Sequence, residues 1–150
     1  MKTLIPMKVE LGTVIHGTLR PEDLIPTFLE ELKKYTDDIP QFENGDCVQE
    51  YIIELIDALN EHSPPYCYFG THIGDGSDFG FWVDYETISY DITVERTLHV
   101  EYCDGYRTTH STTESVENEF QYIHVNDHGN MTLYERNNLD EEFTEVWAIV

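Results

Sequence analysis

The alternation of apolar and polar positions divides the chain into blocks of different period. Met7, Val9, Leu11, Thr13 and Ile15 alternate with Lys8, Glu10, Gly12 and His16. Period two marks a half-buried strand, and Gly17-Thr18 ends it. Arg20-Pro21-Glu22-Asp23 then opens a helix over 21–35. Proline suits its first turn, and the two acids face the positive end of the helix dipole. Leu24, Ile25, Phe28, Leu29 and Leu32 carry the helical period. Pro26 removes one helical hydrogen bond, so a kink or a separate first turn is expected there. After a polar connector, Val48, Ile52, Leu55 and Leu59 recur at helical spacing. They predict a second helix over 46–61, stopped by Ser63-Pro64-Pro65.

Beyond it the pattern turns to strands. Tyr66 to Ile73 and Phe79 to Val83 are aromatic, strand-prone runs around Gly74-Asp-Gly-Ser-Asp78, which reads as a β-hairpin about a tight turn. Gly70 and Gly80, within the runs, suggest bulges or close backbone approach. Ile88, Tyr90, Ile92, Val94, Leu98, Val100 and Tyr102 alternate at period two, predicting one long bent strand or two joined near Glu95. Asp104-Gly105 is a hairpin turn signal, after which a Thr-rich run, Tyr106 to Thr113, pairs back as an edge. Phe120 to Val125 and Met131 to Glu135 flank Asn126–Asn130 as another hairpin. Phe143 to Val150 is the last strand, with Trp147 and Ile149 facing opposite to Val146, Ala148 and Val150. The expected fold is α+β: two helices packed on a mainly antiparallel sheet, in a single domain over 1–150. Its core includes Phe28, Leu32, Val48, Ile52, Leu55, Leu59, Phe81 and Trp147.

Charge changes this picture most. Thirty Asp and Glu stand against eight Lys and Arg, a formal net charge of −22. Ten Tyr, seven Phe and two Trp nonetheless speak for a folded core and against a disordered acidic tail. Such a chain repels nucleic acid and anionic membrane, and its electrostatic partners are basic surfaces or cations. Between Tyr35 and Tyr106 sixteen acids accompany a single basic residue, Arg96. Three scattered cysteines, Cys47, Cys67 and Cys103, suit a reducing compartment. No apolar run is long enough to span a membrane, and MKTLIPMKVE lacks the features of a signal peptide. The expectation is a soluble, cytoplasmic protein.

The excess acid has a geometry. Asp46, Glu50, Glu54, Asp57 and Glu61 form a second helical series, about 200° from the apolar one at roughly 100° per residue. Five carboxylates thus line about 22 Å of helix, where one DNA strand carries about seven phosphates. No Lys or Arg interrupts them, so they repel at i,i+4 spacing. Asp75, Asp78, Asp84 and Glu86 extend the expected acidic surface. An acidic proteome kept soluble in a salt-loving host accounts for the same charge without any partner.

Two blocks carry a resemblance. HGTLRPEDLIPTFLEEL (16–32) and YFGTHIGDGSDFGFW (68–82) resemble a family of small uncharacterised proteins from bacteria and their phages. YIHVNDHGNMTLYE and EVWAIV, within 122–150, resemble a C-terminal piece of other phage proteins. The resemblance implies a phage or mobile-element setting, with the host cytoplasm as the location. It implies no activity and no catalytic residue.

Other candidate chemistry is sparse. Gly74 to Asp78 with His72 offers cation ligands, but the spacing is not that of a calcium loop, and the same residues make a tight turn. His16, His72 and Asp75 are candidates for an acid–base pair. Tyr66, Tyr68, Phe69, Phe79, Phe81 and Trp82 supply either core or an aromatic pocket. No nucleophile elbow, zinc-protease helix, phosphate loop or C-x-x-C motif is present. The sequence therefore points to a non-enzymatic acidic inhibitor or decoy, of DNA-mimic type, that binds a basic nucleic-acid-binding protein such as a host defence factor. No cofactor, metal or catalytic residue is expected. The alternatives are a small-ligand binder or enzyme using the 66–82 hairpin with His16, His72 and Asp75, and an accessory phage protein whose acidity serves solubility.

Overall fold

The structure is a computed structural model and describes residues 8–111 and 116–149. Met7 of the expected first strand, Thr112 and Thr113 of the expected edge strand, and Val150 lie outside the described residues. The fold is α+β, with three α-helices and two mainly antiparallel sheets among the described residues. The chain divides into two compact units, Met1–Val83 and Asp84–Val150.

In the first unit, β1 (Gly12–His16), β2 (Cys67–His72) and β3 (Asp75–Val83) form a sheet of order β1-β3-β2, antiparallel throughout. Helices α1 (Pro21–Leu32) and α2 (Val48–Asn60) pack on each other and on this sheet. Pro26 sits inside α1 without ending it, because the bond it forfeits lies in the second turn, near the helix start. The core is Leu24, Phe28 and Leu32 of α1, Tyr51, Ile52, Leu55 and Leu59 of α2, and Phe69, Phe79 and Phe81 of the hairpin. Phe28 meets Phe69 and Phe79 edge-to-face, with centroids 5.5 and 5.3 Å apart. Edge-to-face pairs are among the geometries that the ring quadrupole favours.

Val48, expected in this core, is 38% exposed. It is the first residue of α2, a full turn before Ile52, and Tyr51 takes its place. The Tyr51 ring is buried, and its hydroxyl donates to the Pro40 carbonyl at 2.9 Å. The hairpin is also tighter than the pattern suggested. Ile73 and Gly74 alone form its turn, and Asp75 to Asp78 are the first residues of β3. They pair in part with β1, His16 opposite Asp78. Gly80 is a close-approach glycine: a Cβ there would overlap the Gly12 carbonyl of β1. Gly70 has room for an ordinary contact.

The second unit opens with a helix. Residues 88–93, read as strand from their alternation, belong to helix α3 (Tyr85–Thr93). Asp84 caps it: its carboxylate accepts from the Thr87 amide at 3.1 Å and the Thr87 hydroxyl at 2.8 Å. Of the alternating residues only Ile88 is buried in the helix, while Tyr90 and Val94 are half exposed or more. The period-two run was thus a coincidence of apolar positions on a local cap-and-helix signal. Strands β4 (His99–Cys103), β5 (Thr108–His110), β6 (Gln121–Val125), β7 (Met131–Glu135) and β8 (Thr144–Ile149) follow, in the order β5-β4-β6-β7-β8. β5 is an edge, as its weak apolarity implied. β4 and β6 run parallel; the other pairs are antiparallel. Val100, Ile123, Leu133 and Trp147 lie opposite one another across four strands and are all buried.

Candidate functional sites

In the first unit the acids of α2 are exposed. Glu50, Glu54 and Asp57 stand on the helix, Glu61 follows its last turn, and Asp46 precedes it. Asp46 is held off the helix, where its carboxylate accepts from the Glu43 amide at 2.7 Å. Among the described residues none of the five makes an ion pair. The last turn of α2 holds no basic residue, so Asp57 and Glu61 face the negative end of the helix dipole uncompensated. Asp38, Glu54, Asp57 and Glu61 line one open groove together with His62. Glu54 lies near enough to Tyr51 to add to the burial that raises that phenol's pKa.

At the end of the same unit's sheet, His16 Nε2 lies 2.9 Å from Asp75 Oδ2. Asp75 Oδ1 accepts from both the amide and the hydroxyl of Ser77, each at 2.9 Å. The Ser77 amide, then His16, then the Ser77 hydroxyl hold the Asp75 carboxyl down at about 2. Asp78, across from His16, keeps one carboxylate oxygen buried and unpartnered. His72 is not part of this group. Its Nδ1 accepts from the Gly74 amide at 2.9 Å, and its ring meets the Trp82 ring edge-on at 4.8 Å. Of the six hairpin aromatics, Phe69, Phe79 and Phe81 belong to the core, which removes them from any ligand pocket.

Asp84 and Glu86 belong to the second unit, where Asp84 is committed to capping α3. That unit carries a polar cluster absent from the sequence reading. Alternation along β4 puts His99, Glu101 and Cys103 on the sheet face opposite the Val100 row. Registers add His110 and His124 on either side of Glu101, Thr108 opposite Cys103, and Tyr122 opposite His99. Glu101 Oε1 lies 2.9 Å from His124 Nδ1. Cys103 Sγ is 3.8 Å from Glu101 Oε1, 4.0 Å from His124 Nδ1 and 3.4 Å from the Thr108 hydroxyl. Beside them His99 Nε2 meets His110 Nδ1 at 3.0 Å. Burial lowers the pKa of His99, favouring its neutral ring. Burial and then the Glu101 charge push the Tyr122 phenol up to about 12. None of the three cysteines is in a disulfide.

Among the described residues no helix is long and apolar enough to cross a membrane. No family model, curated protein or solved structure matches the chain.

Proposed function

We propose that the protein is a non-enzymatic inhibitor or decoy that offers the carboxylates of its first unit to a basic, nucleic-acid-binding protein. The observation that carries this reading is the exposed, unneutralised acid series of α2, three of whose carboxylates share one groove with Asp38. Carboxylates fit the guanidinium and ammonium groups that otherwise take phosphate, and charge-assisted hydrogen bonds supply the affinity. A helix retaining such self-repulsion gives up a few tenths of a kcal/mol per i,i+4 pair. The gain is a concentrated negative field that steers a cationic partner. The blocks at 16–32 and 68–82 add a phage setting, in which a host restriction or other defence factor is the target.

The test is capture from host lysate on the immobilised protein at low salt, followed by elution with a salt gradient. Recovery of basic nucleic-acid-binding proteins, displaced by duplex DNA, supports the reading. Recovery of none, or of proteins indifferent to salt and DNA, overturns it.

The His16–Asp75 pair favours one second reading, a small-ligand site at that end of the hairpin. An exposed imidazole held by a carboxylate is a serviceable proton acceptor, and the unpartnered Asp78 oxygen lies in the same short segment.

A further inference from the structure

We propose that Glu101, Cys103 and His124 form a binding site for a divalent transition metal of the zinc type. The site lies wholly in the second unit and does not depend on the carboxylate face of the first.

The donor set argues for this class of ion. A thiolate and an imidazole are borderline-soft ligands that suit zinc and its neighbours, while magnesium and calcium take oxygen. Glu⁻ and Cys⁻ with a neutral His give two negative charges, which balance a divalent cation. The geometry agrees. A tetrahedral zinc site has Zn–S of about 2.3 Å and Zn–N and Zn–O of about 2.0–2.2 Å. Its sulfur–nitrogen and sulfur–oxygen separations are then about 3.6 Å, and nitrogen–oxygen about 3.4 Å. The three donors stand 4.0, 3.8 and 2.9 Å apart. Displacements of about half an ångström or less separate them from ligation.

The scaffold favours it too. Glu101 and Cys103 are alternate residues of β4, and His124 is fixed opposite Glu101 by the parallel β4–β6 register. Side chains on paired strands are better fixed than side chains on loops. The site is sheltered without being closed: the His124 and Glu101 side chains are 27% and 18% exposed. The Thr108 hydroxyl, 3.4 Å from Cys103 Sγ, is placed to donate to a thiolate, as outer-shell groups do at metal centres. Three protein ligands leave a fourth position for water or a small ligand.

Without metal, the Glu101 carboxylate can only accept, so His124 donates to it from Nδ1. Binding requires a lone pair on Nδ1, so the ring proton moves to Nε2. The Cys103 thiol gives its proton to solvent. One proton is thus released for each metal bound, and affinity falls as pH falls.

The test titrates the full chain with Co²⁺, then displaces it with Zn²⁺, in excess Mg²⁺ to saturate the acidic surface. A thiolate-to-cobalt charge-transfer band that saturates near one equivalent, survives Mg²⁺ and disappears in Cys103→Ser is expected. His124→Ala removes a ligand and should weaken binding by more than the about 10–100-fold that loss of an outer-shell partner costs. In the unmodified chain, Zn²⁺ should slow alkylation of Cys103 but not of the exposed Cys47; this arm holds even if a variant fails to fold. A band that persists in Cys103→Ser, binding abolished by Mg²⁺, or equal alkylation of Cys103 with and without Zn²⁺ would each overturn the assignment.

Discussion

His16 and Asp75, 59 positions apart in sequence, meet in a 2.9 Å hydrogen bond at the end of the first unit's sheet. The contact exists because β1 pairs with β3 and the two-residue turn places Asp75 at the start of β3. Asp75 has its carboxyl lowered to about 2, first by the Ser77 amide. The unfolded reference is about 3.9. A folded pKa below the unfolded one favours the fold above about pH 4, and that contribution is lost as pH falls towards 2. Carboxyl NMR should show Asp75 titrating near 2. His16→Ala should raise the value only in part, because the Ser77 amide remains. Titration at the ordinary value would remove both the bonds and the second functional reading.

Gly80→Ala should be among the most damaging single changes in the first unit. The added methyl would meet the Gly12 carbonyl, a backbone atom that no rotamer change can move. Overpacking of this kind typically costs about 1–3 kcal/mol, occasionally more. Denaturant unfolding measures it. Gly76→Ala, where nothing lies within reach of the new methyl, is the control and should be milder.

The α2 core face makes a paired prediction. Leu55 is fully buried among Phe and Leu side chains, and Leu55→Ala should cost roughly 2–5 kcal/mol. Val48→Ala should change stability by under about 1 kcal/mol, since more than a third of its surface is already in water. Equal losses at the two positions would place the buried face wrongly.

The contrast between Leu55 and Val48 shows how far the sequence carries. Periodicity finds the helix and its core face, but not where the helix overruns its packing partners. Tyr51, four residues before Leu55 and so on the same face, is buried with its hydroxyl on the Pro40 carbonyl, a partner that periodicity does not announce. At 85–93 two local signals competed, and the Asp84 cap outweighed an alternation whose Tyr90 and Val94 gain little burial. That Glu101 and Cys103 share one strand face was legible in the period-two pattern, though neither residue was singled out. That His124 joins them was not legible, because its place beside Glu101 depends on a parallel pairing of β4 with β6. No hairpin turn announces such a pairing.

Neutralising the α2 acids separates a functional surface from a solvated one. In Glu50→Gln/Glu54→Gln/Asp57→Asn three adjacent exposed charges are lost while the shapes are kept. Stability should hold to within a few tenths of a kcal/mol, because relief of Glu50–Glu54 repulsion and of Asp57 at the negative end of the dipole offsets the loss of the Glu50 charge at the positive end. Binding to a basic groove should fall. Each lost pair should cost about 1–3 kcal/mol, since the cationic partner is left unpaired. Single changes should therefore be mild and the triple change severe, with a shallower salt dependence because fewer charges are engaged. Calorimetry on the captured partner, alongside thermal unfolding of the variant, reads both quantities. A triple variant that is as stable as the parent and binds as tightly would make the α2 acids a means of solubility alone. The His16–Asp75 end of the hairpin would then be the stronger functional candidate in the first unit.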